Sequence, residues 1–190
     1  MSEEPDDATV IVASLTRPEE FTVIFERHFD AIHRYLRRRH PSEAEELAAE
    51  VFTVAFDARA RYRDQTESAR PWLYGIASRL LARRRRSEAR ALRAHASSGG
   101  RRDAAEDDYG AAEARADALR QSALIARSVA GLKPADRDTL LLYALSDLSY
   151  EEVARALDVP IGTVRSRLSR ARRHCESDLR GTPAQEGARG

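Results

Sequence analysis

Apolar residues recur at spacings of three and four along most of the N-terminal half, and this pattern predicts amphipathic helices. The spacing marks one helix over residues 21–36, a second over 47–56 and a third from 72 into 86. Ser42 followed by Glu45 fits a capping box and predicts the start of the second helix there. Three helices of this kind can share one small core.

The C-terminal half shows the same helical spacing over residues 124–132 and 140–145, and again over 148–173. No stretch shows the strict alternation of apolar and polar residues that is typical of strands, and alanine is abundant throughout. The sequence therefore predicts an all-α fold with two small helical domains joined by a flexible linker.

The domain boundaries follow from the segments that lack large apolar residues. We expect a disordered acidic tail over 1–17, a helical domain over 18–93, a flexible acidic linker over 94–117, a second helical domain over 118–180 and a tail over 181–190. As a free coil the 24-residue linker would span about 27 Å, and about 80 Å fully extended.

Charge is strongly segregated although the formal net charge is only +1. Residues 79–102 hold nine Arg against Glu88, and residues 103–117 hold six acidic residues against Arg115. A concentrated arginine run favours phosphate or guanine recognition, because the planar guanidinium forms paired hydrogen bonds with both. The acidic run fits either a nucleic-acid mimic or a solvating spacer.

Residues for catalysis or metal binding are not found in the required patterns. The single Cys175 excludes an intrachain disulfide, the five His residues form no ligand motif, and there is no glycine-rich phosphate loop. We expect no enzymatic activity, no cofactor and no metal, and we assign His28 and Cys175 to packing. No apolar run is long enough to span a membrane and the first residues lack a signal pattern, so we expect a soluble, cytoplasmic protein.

The segment LSYEEVARALDVPIGTVRSRLSRARR, residues 148–173, fits a helix-turn-helix. Ser149 and Glu152 form a capping box, and Asp158 stands at the turn, where it can adopt the left-handed conformation. The exposed side of the second helix is nearly all Arg and Ser, which suits the DNA major groove. A solvated basic face on a structural hairpin is the alternative.

This segment resembles the promoter-recognising C-terminal domain of bacterial RNA polymerase sigma factors, particularly the extracytoplasmic-function group. AEELAAEVFTVAF at 44–56 is similar to the polymerase-binding helix of that family, and RPWLYGIASRLLARRRR at 70–86 to its helix for the minus-ten element. The resemblance implies a sigma factor that binds core RNA polymerase, recognises the minus-thirty-five element and opens the minus-ten element. Control by an anti-sigma protein is common in that family and is left open for this chain by the sequence.

Three groups of site residues are implied by the resemblance. The expected minus-thirty-five contacts are Thr163, Arg165, Ser166, Arg167, Arg170 and Arg173. The expected minus-ten contacts are Tyr62, Gln65, Arg79, Arg83 and Arg84. The expected polymerase contacts are Glu43, Glu46, Leu47, Glu50, Val51 and Phe52.

The chain departs from the family where Arg79 and Arg83 replace the more usual Asn and Asp, which bears on its minus-ten preference. Glu46 keeps the charge of the usual Asp, whereas Ala49 replaces a Gln. The alternative function is a stand-alone helix-turn-helix regulator that binds duplex DNA without polymerase.

Overall fold

The computed structural model describes residues 5–63, 68–96 and 113–181 of the chain. Within these ranges the chain forms α helices and short 3₁₀ turns without strands, so the predicted all-α fold is confirmed. The α helices are α1 (Asp7–Ala13), α2 (Phe21–Arg39), α3 (Ala44–Ala58), α4 (Arg70–Ala96), α5 (Glu113–Gly131), α6 (Pro134–Ser146), α7 (Tyr150–Leu157) and α8 (Ile161–Gly181).

The N-terminal domain packs α2, α3 and α4 around one apolar core. Ile24, Leu36 and Leu47 are fully buried there, as their spacing predicts. The rings of Tyr35 and Tyr74 meet edge to face with centroids 5.2 Å apart, which joins α2 to α4. Helices α3 and α4, which contain the expected polymerase and minus-ten residues, therefore pack on the same core.

The start of α3 differs from the prediction. Pro41 begins a 3₁₀ turn that runs to Glu43, and α3 begins at Ala44 without a side-chain cap. The capping box predicted from Ser42 and Glu45 is therefore wrong, because the proline ring fixes the preceding turn and the N-cap position falls on Glu43 instead of Ser42.

The segment before α2 also differs from the prediction, since residues 7–13 form α1 rather than part of a disordered tail. Asp6 caps this helix by accepting a 2.7 Å hydrogen bond from the Thr9 N–H. Val10 and Ile11 are buried in the domain core. Two large buried side chains in a seven-residue helix leave too short a pattern for sequence periodicity to detect.

Asp7 is buried at the first position of α1 and explains why this helix stays docked. One carboxylate oxygen lies 2.6 Å from Nε2 of His28 and 2.7 Å from the backbone N of Ala69, and the other lies 3.0 Å from Arg27. Burial alone would raise the pKa of this carboxyl, but the hydrogen bonds from His28, Ala69 and Arg27 outweigh it and lower the pKa to about 2. The expected packing role of His28 thus includes a specific carboxylate partner.

The C-terminal domain packs α5 and α6 against the pair α7 and α8. The predicted capping box is present, because Glu152 accepts from the Ser149 N–H at 2.7 Å and Ser149 accepts from the Glu152 N–H at 3.2 Å. Asp158 ends α7 in the left-handed conformation with φ of 53°, as the turn requires.

Most of the expected linker lies outside the described residues, as do nearly all of the expected C-terminal tail and residues 1–4. At its edges the structure differs from a free linker, because α4 continues to Ala96 and α5 already begins at Glu113.

The two domains pack directly on one another, chiefly through α4 and α7. Gly75 lies so close to α7 that a Cβ at this position would stand 2.5 Å from the carbonyl oxygen of Ala156. Asp138 on α6 accepts paired hydrogen bonds of 2.8 and 2.7 Å from Arg85, and Arg39 reaches the same carboxylate at 3.3 Å. These contacts hold the C-terminal domain against the N-terminal domain.

We predict that Gly75→Ala separates the two domains while α4 remains helical. Alanine favours a helix interior by about 1 kcal/mol over glycine, but its methyl group cannot fit against the α7 backbone. A compact chain of this length has a radius of gyration of about 16 Å. Small-angle scattering should give a larger radius of gyration for Gly75→Ala than for the wild type. Gly162→Ala is the matched control, because no atom lies within 4 Å of a Cβ there. Identical scattering from all three proteins would contradict the prediction.

We predict that Asp7→Asn lowers the free energy of unfolding by about 2 kcal/mol at pH 7. This energy corresponds to the difference between the pKa of about 2 for Asp7 in the folded protein and its ordinary value of 3.8. Because the folded-state pKa is the lower one, this stabilisation is complete above about pH 4 and is lost as the pH falls toward 2. Urea titrations at pH 7 and below pH 4 should therefore give a difference between wild type and variant that shrinks with acidification. Asp30→Asn, on the exposed side of α2, serves as control. A difference that does not depend on pH would contradict the assignment.

Candidate nucleic-acid interface

Helix α8 presents a basic face because its apolar positions follow the helical spacing on the opposite side. Val164, Leu168 and Ala171 are buried with at most 1 % exposure, which fixes the helix on α6 and α7. Of the six expected minus-thirty-five residues, Thr163 and Arg167 are half-buried and the other four are exposed. Among the exposed four, Arg165, Ser166 and Arg173 have no ion pair to described residues. A straight helix with this face can enter a major groove.

Arg170 differs from the other arginines of this face because it is held by an internal partner. Its Nε and Nη2 donate to the two carboxylate oxygens of Asp136 at 3.1 and 2.8 Å. Asp136 is buried in the first turn of α6, and the paired hydrogen bonds from Arg170 lower its pKa. Arg170 therefore joins α6 to α8, a role that the sequence prediction of a DNA contact did not include.

The expected minus-ten residues on α4 form a row along one side of the helix. Arg79 and Arg83 are exposed one turn apart, and Trp72 lies two turns before Arg79 on the same side. The Tyr62 ring packs on Trp72 with centroids 4.9 Å apart, so an aromatic pair stands at the end of the arginine row. We call these four residues the minus-ten surface. Gln65 lies outside the described residues.

Arg84 is directed toward α3 rather than along this row. Its guanidinium lies 2.6 Å from Glu46 and 3.2 Å from Glu43, two of the acids expected to contact polymerase. The positive charge of Arg84, expected to contact DNA, and the negative charges of Glu43 and Glu46, expected to contact polymerase, thus partly neutralise each other. This pairing is between helices and leaves no trace in the local sequence pattern.

The expected apolar polymerase contacts are core residues. Leu47 and Val51 are fully buried and Phe52 is 6 % exposed, so none of them presents a side chain broadly to a partner. Instead, a shallow apolar groove lies between α2 and the outer side of α3. Its lining residues are Pro18, Phe21, Thr22, Phe25, Ala49, Phe52, Thr53 and Phe56. Glu50 lies on the opposite edge of α3, beside Arg83 and Arg84.

Within the described ranges, no group of three or more His, Cys, Asp and Glu side chains is arranged to hold a metal ion. In the same part of the chain, no helix is both long and apolar enough to cross a bilayer.

The helical fold and the exposed basic helix define a two-domain DNA-binding protein of the helix-turn-helix class. The family model for Sigma-70 region 2 matches residues 24–91, and that for Sigma-70, region 4 matches residues 122–175. Both predicted motif blocks thus fall within matched regions, in the expected order.

Named relatives cover most of the chain. It is 35 % identical over 132 residues to the ECF RNA polymerase sigma factor SigC of Mycobacterium tuberculosis, covering 68 % of this chain and 66 % of the relative. It is 30 % identical over 185 residues to the ECF RNA polymerase sigma-E factor of Escherichia coli, covering 90 % and 93 %. The chain belongs to the sigma factors of the extracytoplasmic-function (ECF) type, non-catalytic initiation factors that direct RNA polymerase to promoters.

The fold agrees with a solved sigma factor. The structure of the sigma factor RpoE from Bartonella quintana, in complex with the anti-sigma factor NepR, superposes with a TM-score of 0.59 at 19 % identity and covers 87 % of this chain and 99 % of that one. This likeness supports the fold.

We predict that Arg170→Ala destabilises the C-terminal domain, whereas Arg173→Ala does not. Removing Arg170 leaves the buried Asp136 carboxylate without its partner, and Arg173 has no comparable contact among the described residues. The thermal midpoint of unfolding should fall clearly for Arg170→Ala. For Arg173→Ala the free energy of unfolding should stay within about 0.5 kcal/mol of the wild-type value, so its thermal midpoint should hardly change. Each variant loses one positive charge, so the pair controls for net charge. Equal stability of the two variants would contradict the role assigned to Arg170.

Proposed function

We propose that α8 reads the minus-thirty-five element through Arg165, Ser166, Arg167 and Arg173, with Thr163 at the helix start. The observation that carries this proposal is the exposed basic face of α8, whose opposite side is locked into the core. Arginine in the major groove forms paired hydrogen bonds with guanine O6 and N7 or contacts phosphates. Arg170 contributes by fixing α8 on α6.

We further propose that the minus-ten surface holds the separated non-template strand. Extruding a base costs a few kcal/mol, and stacking on an aromatic ring contributes about 1–3 kcal/mol per base. The Tyr62–Trp72 pair offers such a ring surface, and Arg79 and Arg83 continue from it as phosphate contacts. No covalent chemistry is required, because binding energy alone shifts the duplex toward the open form.

The polymerase contact is proposed to use the apolar groove between α2 and α3. Phe25 is 40 % exposed at this groove, and Ala49 and Thr53 leave its floor open from the α3 side. Glu45 is exposed nearby and adds negative charge for a basic partner helix. The groove replaces the buried Leu47 and Val51 as the contact and keeps Phe52 in its lining. Glu43 and Glu46 pair with Arg84 from α4.

Promoter binding is proposed to require separation of the two domains. Promoter elements two helical turns apart lie about 70 Å from one another, far more than a compact chain with a radius of gyration of about 16 Å can reach. The 24 residues of the expected linker would reach this distance, at about 80 Å, only if the ends of α4 and α5 that lie within it also unwind. We place the protein in the cytoplasm, with the polymerase and the chromosome as partners. An anti-sigma protein is a further proposed partner, because RpoE of Bartonella quintana binds one.

The division of labour is tested by transcription with purified core polymerase and two variants. Arg165→Ala should lower transcription from a minus-thirty-five-dependent promoter by about 5- to 150-fold, the loss of one base-reading arginine, and leave polymerase affinity unchanged. Ala49→Arg should abolish polymerase binding and therefore transcription from every promoter. Ala126→Arg adds the same side chain at an exposed position of α5, outside the groove lining, and should have little effect.

Two results would contradict this assignment. Loss of polymerase affinity in Arg165→Ala would show that the two surfaces are not separate. Tight, specific promoter binding by the protein without polymerase would favour the stand-alone regulator instead.

A further inference from the structure

Helix α1 lies outside the residues matched by the region 2 family model, yet it contacts both ends of the segment that joins α3 to α4. At its N-terminal end, Asp7 accepts a 2.7 Å hydrogen bond from the backbone of Ala69, the residue immediately before α4. At its C-terminal end, the Ser14 carbonyl accepts a 3.4 Å hydrogen bond from Nε of Arg59, the first residue of the 3₁₀ turn after α3. The helix therefore has two separate attachments.

The attachment at Ala69 is a helix cap supplied from a distant part of the chain. Ala69 is fully buried, and its carbonyl accepts the first hydrogen bond of α4 from Leu73. A carboxylate at this position satisfies a free N–H and interacts favourably with the positive end of the helix dipole. His28 and Arg27 hold the carboxylate in place from α2, so the start of α4 is fixed relative to α2.

The attachment at Arg59 fixes the other end of the joining segment. The Arg59 guanidinium also donates a 2.5 Å hydrogen bond to the Phe56 carbonyl and stacks 3.7 Å from the centre of the Phe56 ring. Its carbonyl accepts from the Tyr62 N–H at 3.1 Å, so Arg59 orients the backbone of Tyr62 directly. Asp7 and Ser14 lie seven positions apart, which corresponds to a helical rise of about 10 Å.

These two attachments bear on the aromatic pair of the minus-ten surface. Tyr62 follows the 3₁₀ turn held by Arg59, and Trp72 lies in the first turn of α4, which is capped by Asp7. The rings meet only if both backbone ends are held at the correct separation. A shift of either end would displace the pair relative to Arg79 and Arg83.

We propose that α1 is a spacer that sets the geometry of the minus-ten surface, with Asp7 and Arg59 as positioning residues that do not themselves touch DNA. The proposal rests on the proposed function of that surface. It assigns to α1 an effect on which bases are accepted at the minus-ten element, separate from polymerase binding and from the contacts of α8.

The test measures binding of fluorescent single-stranded minus-ten oligonucleotides to the assembled holoenzyme. The readout is the ratio of affinities for the preferred sequence and for a scrambled one, with Asp7→Asn, Arg59→Lys, Tyr62→Ala and the control Asp30→Asn. We expect this ratio to fall about tenfold in Asp7→Asn and in Arg59→Lys, the scale of one lost charge-assisted hydrogen bond. Core polymerase affinity should stay within about twofold of the wild type in Asp7→Asn, because Asp7 does not line the groove. In Arg59→Lys the ammonium group keeps a cation near the Phe56 ring, which lines the groove, so polymerase affinity should change as little. A variant that is merely less stable would lose polymerase affinity together with oligonucleotide affinity and leave the ratio unchanged.

The outcomes separate the two proposals. If Tyr62→Ala lowers the ratio and neither Asp7→Asn nor Arg59→Lys does, the spacer role of α1 is wrong while the minus-ten surface stands. If Tyr62→Ala leaves the ratio unchanged, the proposed function of the surface is wrong and the spacer role falls with it.

Discussion

The structure depends on which arginines are held by carboxylates within the fold. Asp136 binds Arg170, Asp138 binds Arg85, and Glu43 binds Arg84, in each case between different secondary-structure elements. A carboxylate that is partly buried must keep a partner, whereas an exposed guanidinium needs none. The acidic residues thereby determine which members of an arginine-rich chain serve the fold and which remain exposed on α4 and α8.

The sequence predicts the helices well where apolar spacing extends over three or more turns, as in α2, α3 and α8. It also predicts the capping box at Ser149 and the left-handed Asp158, because both depend on residues within one turn. It fails at α1 and at the roles of Arg84 and Arg170. Those features depend on partners 34 to 62 positions away, which local spacing does not reveal.

The candidate sites show the same division between local and distant information. The outward face of α8 follows from helical periodicity alone, and the family resemblance places it at the promoter. The expected apolar polymerase contacts Leu47, Val51 and Phe52 are buried, because an amphipathic helix pattern gives the apolar side of α3 without saying whether that side is covered. The structure covers it with α2 and α4, which leaves the groove beside Phe25 as the open apolar surface of α3.

Helix α7 packs on α4 with one side and on α8 with another, so the same eight residues belong both to the domain contact and to the helix-turn-helix. A ligand that needs the α4-facing side of α7 competes with that contact. By thermodynamic reciprocity, a ligand that favours the separation of α7 from α4 by a given factor binds more tightly, by the same factor, when something else separates them. Binding of a ligand to the N-terminal domain is therefore energetically coupled to binding at the C-terminal domain without any change inside either core.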